Sequence, residues 1–368
     1  MDKRSLCAAA GVLSASLALT VSSVAVAKPK PAPTPVVKSS ALAAPFNLEV
    51  THHSVLVADG GLNLVGKLKR DGSIKTIAAD QPGASGVALS RNGHRLAFTT
   101  TESDPETFEN TASGLNIWSK GSRIYADTHA FETKYNPDQF YSYGVKNPSK
   151  CVSDALTAKG FPVSYKGGVD SHAYSVAAVH GGWVVADAGA NALFSVGNQG
   201  RIRTLSVLPP HPLKIDAAVA EALGLPECVI GVTYRFESVP TDVEVGRDGF
   251  LYVTTLAGGP ESPALGARSK LFRVNPWTGR AREIADGFLG ATNLAIGKHG
   301  DFYVAELFGG KITKVKHGHR STYVELPGVV AVESGPDGSL WAGTLGNQDP
   351  PAPGTIVKIV NGKPYKQS

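Results

Sequence analysis

Short apolar segments separated by glycine-containing turns recur along this chain. Three copies align directly, each with an apolar strand, a turn and a second apolar strand; they lie at residues 174–191, 241–255 and 292–306. Asp-Gly and His-Gly in these turns supply the positive φ that two-residue hairpins require. Further copies lie at 85–98 and 330–343, and a degenerate first copy spans 46–50 and 55–59. The pattern therefore predicts six copies of one unit.

A third strand follows each pair, and a fourth follows most of them, as at 74–78, 203–207, 281–285 and 322–326. The turn glycines at 93, 182, 249, 300 and 338 are separated by 89, 67, 51 and 38 residues, so the unit has about 40 residues and accepts insertions. We therefore predict an all-β fold, a six-bladed β-propeller of four-stranded antiparallel blades with two short helical insertions. A β-sandwich, the alternative, does not explain six copies of one unit.

The predicted insertions lie at about 134–171 and 209–239, and each contains a helical pattern. The first is a short helix around Cys151 that Gly160 ends. The second runs from Ala217 to Leu223, with Asp216 as its N-cap and Gly224 as its stop. The last repeat has a weak fourth strand, so we expect residues near 41–46 to complete that blade from the other end of the chain.

The first 27 residues are typical of a secretory signal peptide. Lys3 and Arg4 precede an apolar run, which ends in the small residues Ala25-Val26-Ala27. A membrane anchor is the alternative, but five Ser and Thr residues dilute the run. We predict cleavage after Ala27, a Pro- and Lys-rich linker over 28–44, and a single domain over 45–368. The expected location is extracellular, with no transmembrane anchor.

Cleavage would leave two of the three cysteines, Cys151 and Cys228, in the mature chain. Two cysteines in a secreted protein favour pairing, so we predict a disulfide that ties the two insertions together. Closing a loop of this length stabilises a fold by about 4 kcal/mol on the chain-entropy model. Two free thiols are the alternative. A zinc site is disfavoured because the chain has no Cys-x-x-Cys.

Composition and missing motifs narrow the function. Charged residues make up 18% of the chain, and its formal charge of +5 comes from 36 basic and 31 acidic residues that are mixed along it. This mixture gives no support to nucleic-acid binding. The sequence has no Gly-x-Ser-x-Gly elbow, His-Glu-x-x-His, Walker loop or dinucleotide fingerprint. The usual signals of hydrolases, zincins and nucleotide enzymes are therefore missing.

Polar residues fall where the first strand of a blade starts and its second strand ends. In a propeller these places converge on the mouth of the central channel, the default binding site. Candidate ligand-binding residues are Asp187, Asn191 and Glu237; candidate metal ligands are Asp242, Asn293 and Glu306; a candidate general base is His172 beside Asp170. Oxygen ligands of this kind suit Ca²⁺ or another divalent cation. The alternative is that these side chains bond to their own turns or strands.

The repeats resemble NHL-type six-bladed propellers, whose copies look like V-x-V-x-x-D-G-x-[LI]-Y-V-A-[DE]. More narrowly, Tyr135-Asn-Pro-Asp138, Val169-Asp-Ser-His-Ala-Tyr-Ser-Val176, Val239-Pro-Thr-Asp-Val243 and the segments 183–191, 258–268 and 304–310 resemble the ScyD/ScyE family of secreted bacterial propellers. This resemblance spans nearly all of the mature chain and implies the fold and export. It implies no chemistry, although similar lactonase-type propellers hold a cation at the channel mouth.

The sequence favours a secreted, monomeric propeller that has no catalytic activity and binds an extracellular small molecule, glycan or protein. The alternative is a metal-dependent propeller enzyme, lactonase-like or lyase-like, that works at the channel mouth. In that enzyme Asp242, Asn293 and Glu306 would hold the cation and His172 would act as base. The two hypotheses differ in whether these side chains converge on one point.

Overall fold

Six four-stranded antiparallel sheets contain most of the strands in the computed structural model, which describes residues 32–260, 265–348 and 351–361. In chain order the first strands are β1 (Pro33–Leu42), β2 (Pro45–Val50), β3 (Val55–Asp59), β4 (Leu64–Leu68), β5 (Ile74–Ala78), β6 (Val87–Leu89), β7 (Leu96–Ser103), β8 (Asn110–Ser119), β9 (Ser122–Asp127), β10 (Ser142–Val145), β11 (Ser164–Lys166), β12 (Ala173–Val179), β13 (Gly182–Asp187), β14 (Ala192–Gly197) and β15 (Ile202–Val207). The remaining strands are β16 (His211–Lys214), β17 (Thr233–Phe236), β18 (Ser238–Val245), β19 (Leu251–Ala257), β20 (Ser269–Val274), β21 (Ala281–Phe288), β22 (Ala291–Ile296), β23 (Phe302–Glu306), β24 (Lys311–Lys316), β25 (His319–Glu325), β26 (Val329–Ser334), β27 (Leu340–Thr344), β28 (Asn347–Gln348), β29 (Pro351–Ala352) and β30 (Gly354–Asn361).

Five of the sheets are built from four consecutive strands in chain order. They are β2 to β5, β6 to β9, β12 to β15, β18 to β21 and β22 to β25. The glycine turns that predicted the repeat join the first two strands of these sheets, and Gly93, Gly249 and Gly300 have φ of 70°, 77° and 79°. In the third copy the positive φ belongs to Gly181, at 79°, and not to the predicted Gly182. The repeating unit is therefore confirmed as a four-stranded antiparallel sheet.

The first strands of these sheets pack against one another. β6 contacts β2 and β12, β18 contacts β12 and β22, and β26 contacts β22 and β2. The apolar core lies between neighbouring sheets, in clusters that combine strands of two sheets, such as Ala88 and Leu115 with Trp183 and Phe194. The first strand of each sheet thus has a neighbouring first strand on both sides.

The sixth sheet combines both ends of the chain. Its order is β1, β30, β27, β26, and β1 pairs antiparallel with β30 from Pro33 opposite Asn361 to Leu42 opposite Gly354. We expected a linker over 28–44 and completion of this sheet by residues 41–46. The completing strand is instead Pro33–Leu42, within the segment assigned to the linker. Prolines are tolerated there because β1 is an edge strand, where a missing N–H breaks no ladder bond.

A seventh sheet is built from the two insertions. Its order is β11, β10, β17, β16, so strands of the first insertion pair with strands of the second. The helices are α1 (Thr128–Tyr135), α2 (Lys150–Ala158) and α3 (Ala217–Ala222), and a 3₁₀ turn spans Glu227–Val229. The predicted caps are confirmed for α3, where the Asp216 side chain accepts from the Val219 N–H. This sheet was not predicted, because its strands have only three or four residues.

The predicted Cys151–Cys228 disulfide is present, with 6.4 Å between the two Cα atoms. It joins α2 to the 3₁₀ turn, above an apolar cluster that includes Val152, Leu156 and Tyr234. None of the helices in the described ranges has the length and apolar character needed to cross a membrane. The predicted signal peptide, residues 1–27, lies outside the described residues.

The role of β1 can be tested with two substitutions on the same strand. Leu42 is 5% exposed and packs with Leu48, Val57 and Ile356, whereas Val37 is 57% exposed. We expect Leu42→Ala to lower the free energy of unfolding by about 2–4 kcal/mol. Val37→Ala should change it by less than about 0.5 kcal/mol. Denaturant unfolding measures both, and equal, small effects would mean that this segment is a tether.

Candidate functional site

Three acidic residues and two tyrosines gather where the insertions meet the third sheet (β12 to β15). We call this place the insertion junction, defined by Glu132, Asp138, Glu237, Tyr143 and Tyr165. Tyr143 Oη donates to Asp138 Oδ2 at 3.0 Å, and the Tyr165 hydroxyl hydrogen-bonds the Glu237 carboxylate. The two tyrosine rings lie 5.4 Å apart between centroids. At the junction the two tyrosines therefore lie beside the carboxyl groups of Asp138 and Glu237 and hydrogen-bond to them.

Burial dominates the electrostatics of the junction. It raises the pKa of Asp138 and Glu237, and in Glu237 the charges of Asp138 and Asp170 raise it further. The pKa of Glu132 rises to about 9, first because of burial and then because Asp187, Asp138 and Asp170 are near. In the described part of the chain, no lysine or arginine forms a salt bridge with Glu132, Asp138 or Glu237. Positive charge would therefore be stabilised at this junction.

Asp187 and Asn191, two predicted ligand-binding residues, close the turn between β13 and β14. Asp187 is fully buried and accepts from Ser171 Oγ at 2.7 Å, the His172 N–H at 2.7 Å and the Ala190 N–H at 3.1 Å. Burial raises its pKa to about 6 in spite of these bonds. Asn191 donates from Nδ2 to Asp138 Oδ2 at 2.9 Å. Asp187 thus holds its own turn, while Asn191 belongs to the junction.

The predicted base pair, His172 and Asp170, does not form a hydrogen-bonded dyad. Asp170 Oδ1 accepts from Asn110 Nδ2 at 2.9 Å. The His172 ring lies 5.6 Å from the Tyr174 ring, and burial lowers its pKa although the nearby Asp170 charge raises it. Burial therefore disfavours the charged form of the imidazole, and the His172 ring packs near Tyr174.

Asp242 and Asn293, two predicted metal ligands, bond to the first strand of the next sheet. Asp242 Oδ2 accepts from the Leu294 N–H at 2.8 Å, and its Oδ1 accepts from Ser175 Oγ at 2.5 Å. Asn293 Oδ1 accepts from the Val332 N–H at 2.7 Å. Asn47, in the same position of the first sheet, accepts from the Val87 N–H at 3.4 Å. We call these side chains the belt; they link neighbouring sheets.

Glu306, the third predicted metal ligand, lies at the end of β23 and is also fully engaged. Its Oε2 accepts from the Leu289 N–H at 2.6 Å, and its Oε1 accepts from Thr313 Oγ1. Within residues 32–260, 265–348 and 351–361, no three or more His, Cys, Asp or Glu side chains are arranged to hold a metal ion. In the described residues Asp242, Asn293 and Glu306 therefore bond to the framework, and a cation site at these three residues stays a prediction.

Three glutamates that sequence reasoning missed line a cavity of about 230 Å³ between the first strands. Glu49 accepts from the Leu89 N–H at 3.2 Å, and burial raises its pKa to about 7. Burial and mutual repulsion also raise the pKa of Glu244 and Glu333 well above the usual range. A signal was available, because all three occupy the same position of the repeat, as in Asn47-Leu-Glu49 and Asp242-Val-Glu244.

Asp138 and Glu132 were missed as well. Asp138 ends the Tyr135-Asn-Pro-Asp138 motif, which carried the family resemblance but suggested no role. Glu132 lies in an eight-residue helix that the sequence did not predict. Its burial depends on the packing of α1 against another sheet, which no local pattern in the sequence reports.

Comparison with known proteins supports the fold and nothing finer. No family model matches this chain, and no curated protein does. A glucose dehydrogenase structure has 13% identity over 89% of this chain and 99% of its own, with a TM-score of 0.55. The PQQ-bound aldose sugar dehydrogenase of Streptomyces coelicolor has 12% identity over 90% of this chain and 99% of its own, with a TM-score of 0.52.

A Bacteroides thetaiotaomicron protein of unknown function is similar too, with 11% identity over 90% of this chain and 73% of its own and a TM-score of 0.52. Identities this low show the fold alone. The neighbours are β-propeller proteins, so this chain has a propeller-type fold. No match to ScyD/ScyE was found, and that resemblance stays a prediction.

The belt makes a prediction about Asp242. Replacing it with alanine leaves the buried Leu294 N–H and Ser175 hydroxyl without an acceptor. We expect Asp242→Ala to cost about 2–4 kcal/mol of unfolding free energy, and Asp242→Asn to cost less because its oxygen still accepts from one of the two donors. Metal content should be the same in both variants. Loss of a bound ion with unchanged stability would restore the metal-ligand hypothesis.

The three glutamates of the cavity, Glu49, Glu244 and Glu333, make the free energy of unfolding depend on pH. A carboxyl with a folded pKa near 7 and an unfolded value near 4.5 binds more protons when folded, so stability falls as the pH rises between these values. Glu49→Gln keeps an acceptor for the Leu89 N–H and removes the charge. We expect this substitution to raise the melting temperature at pH 8, with a gain in unfolding free energy of at most about 3 kcal/mol. At pH 4.5 it should have little effect.

The control for Glu49→Gln is Glu325→Gln, an exposed residue of β25. Its melting temperature should follow that of the wild type at both pH values. If the melting temperature of Glu49→Gln also equals that of the wild type at both pH values, burial does not favour the protonated form of the Glu49 carboxyl group.

Proposed function

We propose that this chain is a secreted six-bladed β-propeller of the ScyD/ScyE type that binds an extracellular protein and has no catalytic activity of its own. Each of the six four-stranded sheets whose first strands contact one another is one blade, and the seventh belongs to the insertions. The contacts among the first strands and the pairing of β1 with β30 support this count. The sequence pattern of residues 1–27 and the Cys151–Cys228 disulfide support export, because disulfides persist in oxidising compartments.

The exposure of Phe108 is the observation that carries the binding proposal. Phe108 is 81% exposed in the loop between β7 and β8, and its φ is +61°. The loop is fixed by Asp104, whose Oδ1 accepts from the Glu106 and Thr107 N–H groups at 2.8 Å. An exposed apolar side chain at a residue with positive φ, in a loop that hydrogen bonds hold in place, lowers the stability of the fold. Such positions persist where the side chain serves a function.

Other exposed apolar side chains occur at the same end of the propeller. In every blade the connection between the second and third strands lies at this end, and so do both insertions. Seven of the eleven large apolar side chains that are exposed in the described ranges fall in these segments: Leu62, Phe108, Tyr135, Phe140, Val169, Ile230 and Phe308. We call this end the insertion face. Three of the other four, Val37, Ile77 and Tyr125, lie on outermost strands.

The chemistry of the insertion face favours a protein over a small molecule or a glycan. Most of its exposed side chains project from loops, and the cavity that Phe308 lines has a volume of only about 30 Å³. Phenylalanine and leucine offer apolar area without the hydrogen-bonding groups that sugars require, and aromatic anchors on a surface are typical of protein interfaces. The face therefore suits an extracellular protein with an apolar surface of its own.

The metal-dependent enzyme, the alternative from the sequence, gains no support from the three proposed ligands. The oxygens of Asp242 and Glu306 and the amide oxygen of Asn293 all accept from donors of the framework. A hydrolytic cation site needs oxygens that are free to bind the ion. The sugar dehydrogenases among the neighbours share too little sequence to carry their activity over.

Site-specific photocrosslinking tests the proposal. A benzophenone amino acid is placed at Phe108, at Phe308, or at Trp277, which is 75% exposed in a third-to-fourth strand connection at the opposite end. With the secreted protein on the surface of its own cells, we expect one protein to be crosslinked from 108 and 308 and not from 277. A Phe108→Ser, Phe308→Ser double variant should lose this partner, and Trp277→Ser should keep it.

Two outcomes would contradict this proposal. One is crosslinking from position 277 as strong as from 108 and 308, which would mean that contact is unspecific. The other is a double variant that retains the partner at its wild-type affinity. Melting curves of the variants confirm that each is folded before its binding is compared.

A further inference from the structure

Five buried oxygen atoms without a hydrogen-bond partner lie in one small region of the molecule. In the described part of the chain nine buried side-chain polar atoms lack a partner. Five of them are oxygens of four residues, namely both carboxylate oxygens of Glu132, Oδ1 of Asp138, and the amide oxygens of Asn136 and Asn191. The other four belong to four separate strands. Buried acceptors without donors are rare in proteins, and each needs an explanation.

The helix α1 brings two of these residues, Glu132 and Asn136, onto one line with Thr128. Thr128, Glu132 and Asn136 are four residues apart and so share one face of α1 and its C-cap. Thr128 and Glu132 are fully buried, which shows that this face is covered. Glu132 therefore lies between Thr128 and Asn136 on the covered face.

Both ends of this line are fixed to the turn between β13 and β14. At the first end, Thr128 Oγ1 lies 2.8 Å from Ser171 Oγ, which donates to Asp187 Oδ2 at 2.7 Å. At the other end, Asp138, two residues after Asn136, accepts from Asn191 Nδ2 at 2.9 Å. Asp187 and Asn191 begin and end that turn. Glu132 lies between the two links on this face of α1, and the charge of Asp187, at the start of the turn, acts on its carboxyl group.

Asp138 enters this space over a glycine. A Cβ atom at Gly167 would lie 1.8 Å from Asp138 Oδ1, so no other residue fits there without moving the carboxylate. The Gly167 carbonyl also accepts from Asn136 Nδ2 at 3.0 Å. These contacts direct the amide nitrogens of Asn136 and Asn191 to framework acceptors and leave their oxygens on the other side.

The free atoms are all oxygens, and two of the four residues carry a carboxylate. None of the salt bridges of the described residues involves Glu132 or Asp138. A set of carboxylate and amide oxygens is what Ca²⁺ prefers, with six to eight oxygen ligands of which water often supplies some. Only two of these residues, Glu132 and Asp138, are of the Asp, Glu, His or Cys type. The set is therefore compatible with the finding that the described residues contain no metal-binding group of three or more such side chains.

We infer that Glu132, Asn136, Asp138 and Asn191 bind one Ca²⁺ ion between α1 and the β13–β14 turn. The ion supplies the partner that the five oxygens lack. It fastens the start of the first insertion to the third blade, and Tyr143, which donates to Asp138, extends this support to the insertion sheet. The inference does not depend on the proposed binding partner, because it concerns residues that are buried.

The experiment uses the full mature protein. After treatment with EDTA and its removal, elemental analysis and calorimetric titration with CaCl₂ measure the ion content and affinity. We expect one Ca²⁺ per chain and a higher melting temperature with Ca²⁺. Glu132→Gln and Asp138→Asn should each weaken the affinity at least ten-fold. Glu306→Gln, a change to a carboxylate outside the set, should leave it unchanged.

Terbium luminescence gives a second measurement on the wild type. Tb³⁺ at the site would be excited through the Tyr143 ring, and added Ca²⁺ should displace it with the same affinity as in the titration. A protein that binds no ion, with a melting temperature indifferent to EDTA and Ca²⁺, would overturn the inference. So would one ion per chain that Glu132→Gln and Asp138→Asn retain at full affinity.

Discussion

The first strand of each sheet has an edge without a partner strand, and its backbone groups still need hydrogen bonds. A buried N–H without an acceptor costs roughly 1–3 kcal/mol, so this requirement constrains every residue near the channel. In this chain side chains of the neighbouring sheet meet part of it: Asn47, Asp242 and Asn293 accept from Val87, Leu294 and Val332. The arrangement of the sheets depends on these side-chain acceptors.

This constraint also explains why Asp242 and Asn293 look like cation ligands in the sequence. Asp242 and Asn293 have the residue types and the repeat position of cation ligands, and a sequence does not show where an oxygen's lone pairs point. The glycine turns, the repeat, the cap at Asp216 and the disulfide were predictable because each follows from local or pairwise rules. The strand β1 was not, because Pro33 and Pro35 suggest a tether until β30 offers an edge.

The insertions add a second region where burial and polarity conflict. Glu132 lies on a helix of eight residues, and its environment comes from α1, a loop and a turn that lie far apart in sequence. Local patterns therefore reveal neither its burial nor its missing partners. The exposed Phe108 at the same end shows the opposite departure from a stable surface. Both departures lie at the end of the molecule that carries the insertions.

Hydrogen exchange at the backbone amides of Leu294 and Val332 tests the belt most directly. Both amides lie on the inner edge of their sheets and are bonded here to side chains of the neighbouring sheet. The account predicts that they exchange only on global unfolding, as slowly as the amides in the middle of β19 or β23. Exchange at the rate of exposed loop amides would contradict it, because the inner edges would then be open to water.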